Sequence, residues 1–309
     1  VRDKAGTQMP AAEALAAAGL EPITLREKEG LALINGTDGM LGQLILALTD
    51  LNTLVTTADL TTAMTVQALC GIDAVFAPDL QALRPHEGQK LSAANIAALL
   101  KNSPLIQAGK SEESKRVQDA YSLRCAPQVT GAVRDTMAHA AHVAQVELVS
   151  AIDNPAVTDD LRVESNGNFH GAPVAYVLDF LAIVVADLAS MSERRTDRML
   201  DPARSRGLNA FLANDPGVDS GYMIAQYTQA SIVSELKRLA VPASTDSIPT
   251  SAMQEDHVSL GWSAARKLRR AVDGLGKVLG VEALTAARAI DMRGIGASEP
   301  VARVIKLMR

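Results

Sequence analysis

Aromatic residues are scarce in this sequence: one Trp, four Tyr and four Phe make up 3% of 309 residues. A β-sandwich draws its core from aromatic and β-branched strand formers, so the shortage argues against one. Ala, Leu, Val and Ile fill the apolar quota instead, a composition that favours helix packed on helix. Cysteine is nearly missing too. Cys70 and Cys125 build no disulfide framework and match no zinc-ligand spacing, which suits a reducing cytoplasm. No basic tract interleaved with aromatics occurs and the net charge is -5, so nucleic acid is not the expected partner. Low-complexity tracts and internal repeats are absent. So is a signal peptide: "VRDKAGTQMP" is polar and opens on no initiator Met, and the sequence reads as a fragment or processed piece of something longer.

What is present is apolar sequence in long segments. Hydrophobic residues make up 48% of the chain, enough to bury a large core in one large domain or two ordinary ones. Residues 37 to 70 run without proline and open at "NGTDG", where Thr37 or Asp38 is placed to cap a helix. "SAANIAALLKN" and residues 128 to 151 read as amphipathic helices, the second ending at the turn of Asp153, Asn154 and Pro155. The segment "APVAYVLDFLAIVVADLASMSERR" starts with Pro173 in a first turn. It is expected to close at Arg194 and Arg195, where cations suit a helix C-terminus. Residues 219 to 240 and 253 to 290 complete the set. Strand signals are few and short, so the expected fold class is all-α, a long helical bundle.

The stretch from Ala172 to Met191 is long and apolar enough to raise a membrane reading. Asp179 and Asp187 lie inside it, and acids are expensive in hydrocarbon. A helix apolar on every side also serves as the centre of a bundle or is covered by another subunit. That second reading, with no membrane partner and with self-association, is the expectation.

Four clusters carry candidate chemistry. "VQDAYSLRC" places Gln118, Tyr121 and Arg124 at i, i+3 and i+6, so on a helix they share one face. An arginine fork where a helix stops suits a bidentate carboxylate clamp, and a phenol one turn away can exchange a proton with the bound group. In "ALINGT", Asn35 is either a turn residue or a side-chain amide presented to a ligand. "SNGNFHGAP" brings backbone, Phe169 and His170 into one loop, and His170 without a partner at ligand spacing reads as structural, as do His139 and His142. In "PTSAMQEDHVS", Ser251 and Gln254 fit a capping box, which would put Glu255 and Asp256 in the first turn of a long helix. Glu255 then either serves the helix dipole or meets a cationic substrate group. No metal site is expected.

Taken in order, "GLALINGTDGML", "VQDAYSLRCAPQV", "DNPAV", "NGNFHGAPVA", "SERRTDRMLD", "DSGYMIAQ" and "SIPTSAMQEDHVS" resemble the aromatic amino acid ammonia-lyases. Within them, the chain is similar to the histidine ammonia-lyases of the actinobacterial type. "QEDHVS" is the most telling stretch, since the phenylalanine and tyrosine lyases usually carry an "NQD" pattern without that glutamate. The resemblance runs from the first residues to about Arg293. It implies one mainly helical region over residues 1 to 309, the central bundle and C-terminal part of such a lyase, with an N-terminal portion absent.

The reaction it implies is non-oxidative loss of ammonia from L-histidine to give trans-urocanate, in a cytoplasmic homotetramer. The cofactor it implies is a methylidene-imidazolone, formed autocatalytically from an Ala-Ser-Gly. Carried over by motif, Arg124 clamps the substrate carboxylate and Asn35 contacts the carboxylate or the electrophile. Tyr121 and Gln118 support the prosthetic group, Phe169 packs against it, and Glu255 faces the amine or imidazole end of the substrate. Three subunits would build each pocket, so these residues serve different sites.

The sequence departs from the pattern in one respect: it contains no Ala-Ser-Gly, and "GAS" at Gly296 to Ser298 is followed by Glu299. The resemblance places the triad, a catalytic-base tyrosine and the histidine of the substrate-selectivity loop before Val1. The chain's own N-terminal portion thereby becomes an expected partner. A catalytically inactive scaffold is the competing reading. A lyase of the fumarase and aspartase group ranks last, because "STDSIPTSAMQ" only echoes their "GSSxMPxK" loop.

Overall fold

A computed structural model describes residues 1–111 and 116–309. The chain divides into two compact units, one made of Val1–Asp38 and Ile152–Phe169, the other of Gly39–Ala151 and His170–Arg309. In the smaller unit lie two short helices, α1 (Ala11–Ala17) and α2 (Glu29–Asn35), neither with a buried residue. A two-rung antiparallel ladder pairs β1 (Ala156–Val157) with β2 (Val163–Glu164). With so little apolar burial, polar ties organise this unit. Lys28 pairs with Asp153 at 2.8 Å. Asn166 donates its backbone N–H to Asn154 Oδ1 at 2.9 Å and its side-chain amide to the Asp153 carbonyl at 3.0 Å.

The larger unit is helical. After α3 (Asp38–Ala68) come α4 (Pro78–Ala82), α5 (Glu87–Leu100), α6 (Pro104–Ala108), α7 (Tyr121–Arg124) and α8 (Ala126–Leu148). These are followed by α9 (Ala172–Leu200), α10 (Met223–Leu239), α11 (Gly261–Arg293) and α12 (Glu299–Leu307). Helices α3, α9 and α11, of 31, 29 and 33 residues, form the spine. At 1.5 Å per residue each spans on the order of 45 Å. Two apolar clusters lie along them. One joins Leu44, Leu181 and Leu268 with α8 and α10; the other joins Met64, Met199 and Ile290 with α5, α6 and α12. The all-α expectation therefore holds, and the helix limits move by a few residues except at two places.

The first is α9. It does not stop at Arg194 and Arg195 but runs on to Leu200, and Arg195 is fully buried. The two neighbouring arginines point to different faces of one helix: Arg194 stays exposed and pairs with Glu193, while Arg195 turns inward to Glu282 of α11. The helix-dipole expectation for this pair is corrected by the buried partner. The second is the start of α11, described below with Glu255.

Helices α5 and α8 cross at glycines. A Cβ at Gly131 would stand 2.3 Å from the Gln89 nitrogen, and one at Gly88 would stand 2.2 Å from the Gly131 carbonyl oxygen. The two backbones touch, and no side chain fits between them.

Two helices, α3 and α9, are long and apolar enough to cross a membrane. In α9 most of that surface is buried inside the bundle, and its interior acid is compensated there. Asp179 receives the Ser244 backbone N–H at 2.8 Å and the Lys267 ammonium at 3.0 Å. Burial alone raises its pKa, but these donors outweigh burial and hold the carboxyl below its ordinary value. A group with a depressed folded pKa stabilises the fold above its unfolded pKa and loses that contribution as pH falls through the folded value. Asp179→Asn is therefore expected to cost about 2 kcal/mol at pH 7. The gap to the parent chain should close as pH drops below the ordinary 3.8, measured by urea unfolding across that range. A gap that stays constant with pH would remove the ion pair from the account.

Candidate active site

Helix α7 is a single turn, Tyr121 to Arg124, and Gln118 lies outside it in exposed, irregular chain. The three polar groups do not stack on one helical face, and that expectation is corrected. Asp119 supplies the reason. Its buried carboxylate accepts the Ile72 backbone N–H at 2.7 Å and pairs with Arg116 at 2.6 Å, which holds the chain off a helical path. Ala120 is then extended, with ψ of 157°, and α7 begins only after it. Cys125 interrupts the run again before Pro127 enters the first turn of α8.

This short turn presents Tyr121 and Arg124 as a pair. The Arg124 guanidinium carbon sits 4.7 Å from the centre of the Tyr121 ring, within cation–π range. Arg124 Nε is buried and has no hydrogen-bond partner, and among the described residues no carboxylate pairs with this arginine. Tyr121 is 70% exposed, and its ring carries the cation. A guanidinium set on an aromatic face, with no anion paired to it among the described residues, has the chemistry to take a carboxylate through two parallel N–H bonds.

Glu255 is exposed and is not in a helix. Ser251, Ala252 and Met253 have φ of 48°, 52° and 72°, a left-handed turn, and α11 begins only at Gly261. The capping-box expectation is corrected: the Thr250 and Glu255 backbones bond to each other, and the Thr250 hydroxyl donates to Glu255 Oε2. A local hydroxyl–carboxylate bond has taken the place of the cap. His257, two residues on, stacks on His170 with ring centres 5.6 Å apart.

Asn35 and Phe169 belong to the smaller unit. Asn35 is the exposed last residue of α2, before Gly36, and Phe169 is 40% exposed at the end of the loop that Asn166 organises. Gln118, Tyr121, Arg124 and Glu255 belong to the larger unit. Two grooves of about 490 and 480 Å³ line other parts of that unit. In the first, Asp50 and Asp273 are already paired with Arg269 and Lys277, which leaves little charge for a ligand.

One polar assembly escaped the sequence reading. Glu282 is fully buried and accepts five hydrogen bonds: from Thr61 and Thr65 of α3, from Ser192 of α9, and two from Arg195. The third arm of Arg195 reaches the Ser122 carbonyl, inside α7, at 3.4 Å. The signal available in the sequence was "SERR" itself, charge following at once on an otherwise apolar helix.

The fold is a long helical bundle, with a guanidinium and a phenol presented together from one short turn. Comparison with known proteins makes this specific. The chain matches the aromatic amino acid lyase family over residues 1–309 and belongs to it. It is 68% identical over 288 residues to a histidine ammonia-lyase of Streptomyces coelicolor, covering 93% of this chain and 56% of that protein. Among solved structures, a tyrosine aminomutase from Streptomyces globisporus superposes with TM-score 0.91 at 38% identity, over 99% of this chain and 62% of that one. A histidine ammonia-lyase from Trypanosoma cruzi gives 0.87 at 41% identity, over 98% and 57%. The chain spans just over half the length of the curated relatives it matches.

Proposed function

We propose that this chain is the bundle portion of a cytoplasmic ammonia-lyase that converts L-histidine to trans-urocanate and ammonia. The observation that carries the reading is Arg124, a partly buried arginine braced on Tyr121 with no anion paired to it among the described residues. The identity to histidine ammonia-lyases and the "QEDHVS" stretch favour histidine over other aromatic amino acids. The similarity to a tyrosine aminomutase is much lower in sequence, so isomerisation of tyrosine is the weaker reading.

Bound at its site, a methylidene-imidazolone made from an Ala-Ser-Gly supplies the electrophile that ordinary side chains lack. The residues here suit such a group: Tyr121 is largely exposed, Phe169 is partly exposed, and Asn35 stands at an exposed helix end. Their own tasks follow from chemistry. Arg124 holds the substrate carboxylate through two parallel N–H bonds. Tyr121 holds or passes a proton at its phenolic oxygen, and Gln118, three residues earlier, offers an amide to the same group. Asn35 offers an amide donor to an oxygen, and Phe169 packs against a planar ring. Glu255, whose Oε2 is engaged by Thr250, keeps Oε1 for the amine or imidazole of the substrate.

Self-association into a homotetramer fits the stripe of Tyr176, Phe180 and Ile183 on α9, each more than 40% exposed and spaced to share one helix face. In such an assembly the two groups of site residues need not meet within one chain.

The test is to combine the chain with a segment carrying Ala-Ser-Gly, as one polypeptide or by co-expression, add L-histidine, and follow urocanate by its ultraviolet absorbance. Urocanate should accumulate, and L-tyrosine should give neither elimination nor isomerisation at a comparable rate. An assembled, soluble protein silent toward histidine would overturn the reading.

A further inference from the structure

We infer that Arg195 is a positioning residue that sets the substrate clamp, tying the one-turn helix α7 to the buried centre of the bundle. The inference rests on the reading of Arg124 as the carboxylate clamp.

Arg195 has 1% of its side chain exposed, and Glu282 has none. Nε and one terminal nitrogen of Arg195 grip the two oxygens of Glu282, which consumes the planar fork. The remaining terminal nitrogen donates to the Ser122 carbonyl. Ser122 stands between Tyr121 and Arg124, so this bond grips the turn that presents both. The anchor behind it is rigid, because Thr61, Thr65 and Ser192 lock the same carboxylate from two further directions. Leu123 adds the apolar half of the attachment, buried to 1% against the second core cluster. A four-residue helix cannot hold its own geometry, since one turn fixes several dihedrals for very few hydrogen bonds. Its orientation is imposed from outside, and among the described residues Arg195 supplies the polar contact that does so.

The geometry also explains why arginine stands here. A lysine ammonium could neutralise Glu282, yet from one nitrogen it cannot span the carboxylate and the Ser122 carbonyl together. Charge balance and clamp position are therefore separable by mutation.

The experiment uses the protein assembled with its Ala-Ser-Gly-bearing segment and reads the Kd for urocanate by titration calorimetry, alongside KM and kcat for L-histidine. Arg195→Lys is expected to raise Kd and KM about fivefold or more, the loss of one hydrogen bond's worth of alignment, with kcat falling less. Asp179→Asn, which breaks an ion pair elsewhere in the bundle, should lower the melting temperature without moving Kd. If Arg195→Lys fails to fold, the double change Arg195→Met with Glu282→Leu removes the buried charges together, and the same rise in Kd is expected there. Unchanged Kd in the folded Arg195 variants overturns the inference, as does an equal rise in Asp179→Asn. Arg124→Lys is measured in parallel. If it weakens urocanate and the Arg195 variants do not, only the positioning role falls; if it leaves urocanate binding intact, the clamp reading itself falls.

Discussion

Arg124→Lys is expected to weaken binding of the substrate carboxylate by about 10- to 100-fold, because one of two charge-assisted hydrogen bonds is lost. The substitution keeps the positive charge, so a purely electrostatic role would survive it. What it removes is the planar fork and its stacking on Tyr121, where the guanidinium carbon lies 4.7 Å from the ring centre. An ammonium also has no Nε, the atom that in this structure is buried without a partner. The measurement is KM for L-histidine and Kd for urocanate in the assembled protein, with the melting temperature as control. Partly buried and, among the described residues, in no salt bridge, Arg124 contributes little to folding, and the melt should hardly move. Binding within twofold of the parent would show that the carboxylate is held elsewhere.

How much of this was legible in the sequence depends on the range of the interaction responsible. The long helices were, because a run such as residues 38 to 68 carries no proline and its propensity is summed over many residues. Pro173 in the first turn of α9 was likewise readable, since it acts through its own backbone. The site was legible by residue type and not by geometry. Tyr121 and Arg124 do meet across one turn, but Gln118 is pulled away by Asp119, whose partner Ile72 lies 47 residues earlier. The spacing around Glu255 fitted a capping box, yet the Thr250 side chain satisfied the glutamate first and left α11 to begin at Gly261. Arg195 was misjudged for the same reason. A cation near the end of an apolar run satisfies the dipole rule locally, and only the fold reveals that Glu282, 87 residues on, stands opposite it.

That buried pair carries the second large effect. Glu282→Ala should cost about 3–5 kcal/mol of stability, the range for stripping one partner from a buried ion pair. The deletion strands a guanidinium with 1% of its side chain exposed and leaves the Thr65 and Ser192 hydroxyls without their acceptor. The mirrored change, Arg195→Met with Glu282→Leu, removes both charges and fills the space with apolar volume. By the same reasoning it should come within about 1–2 kcal/mol of the parent, since the desolvation cost of the ions disappears together with their attraction. Chemical unfolding of the two variants side by side separates the worth of the pair from the penalty of breaking it. If Glu282→Ala loses less than about 1 kcal/mol, Arg195 is finding a replacement acceptor or water. The Ser122 carbonyl is the one already within its reach. In that case α7 should be held more tightly in the variant than in the parent, and urocanate affinity would rise as stability fell. If the full cost appears, the centre of the bundle is dry and the anchor behind the clamp is as rigid as its five hydrogen bonds require.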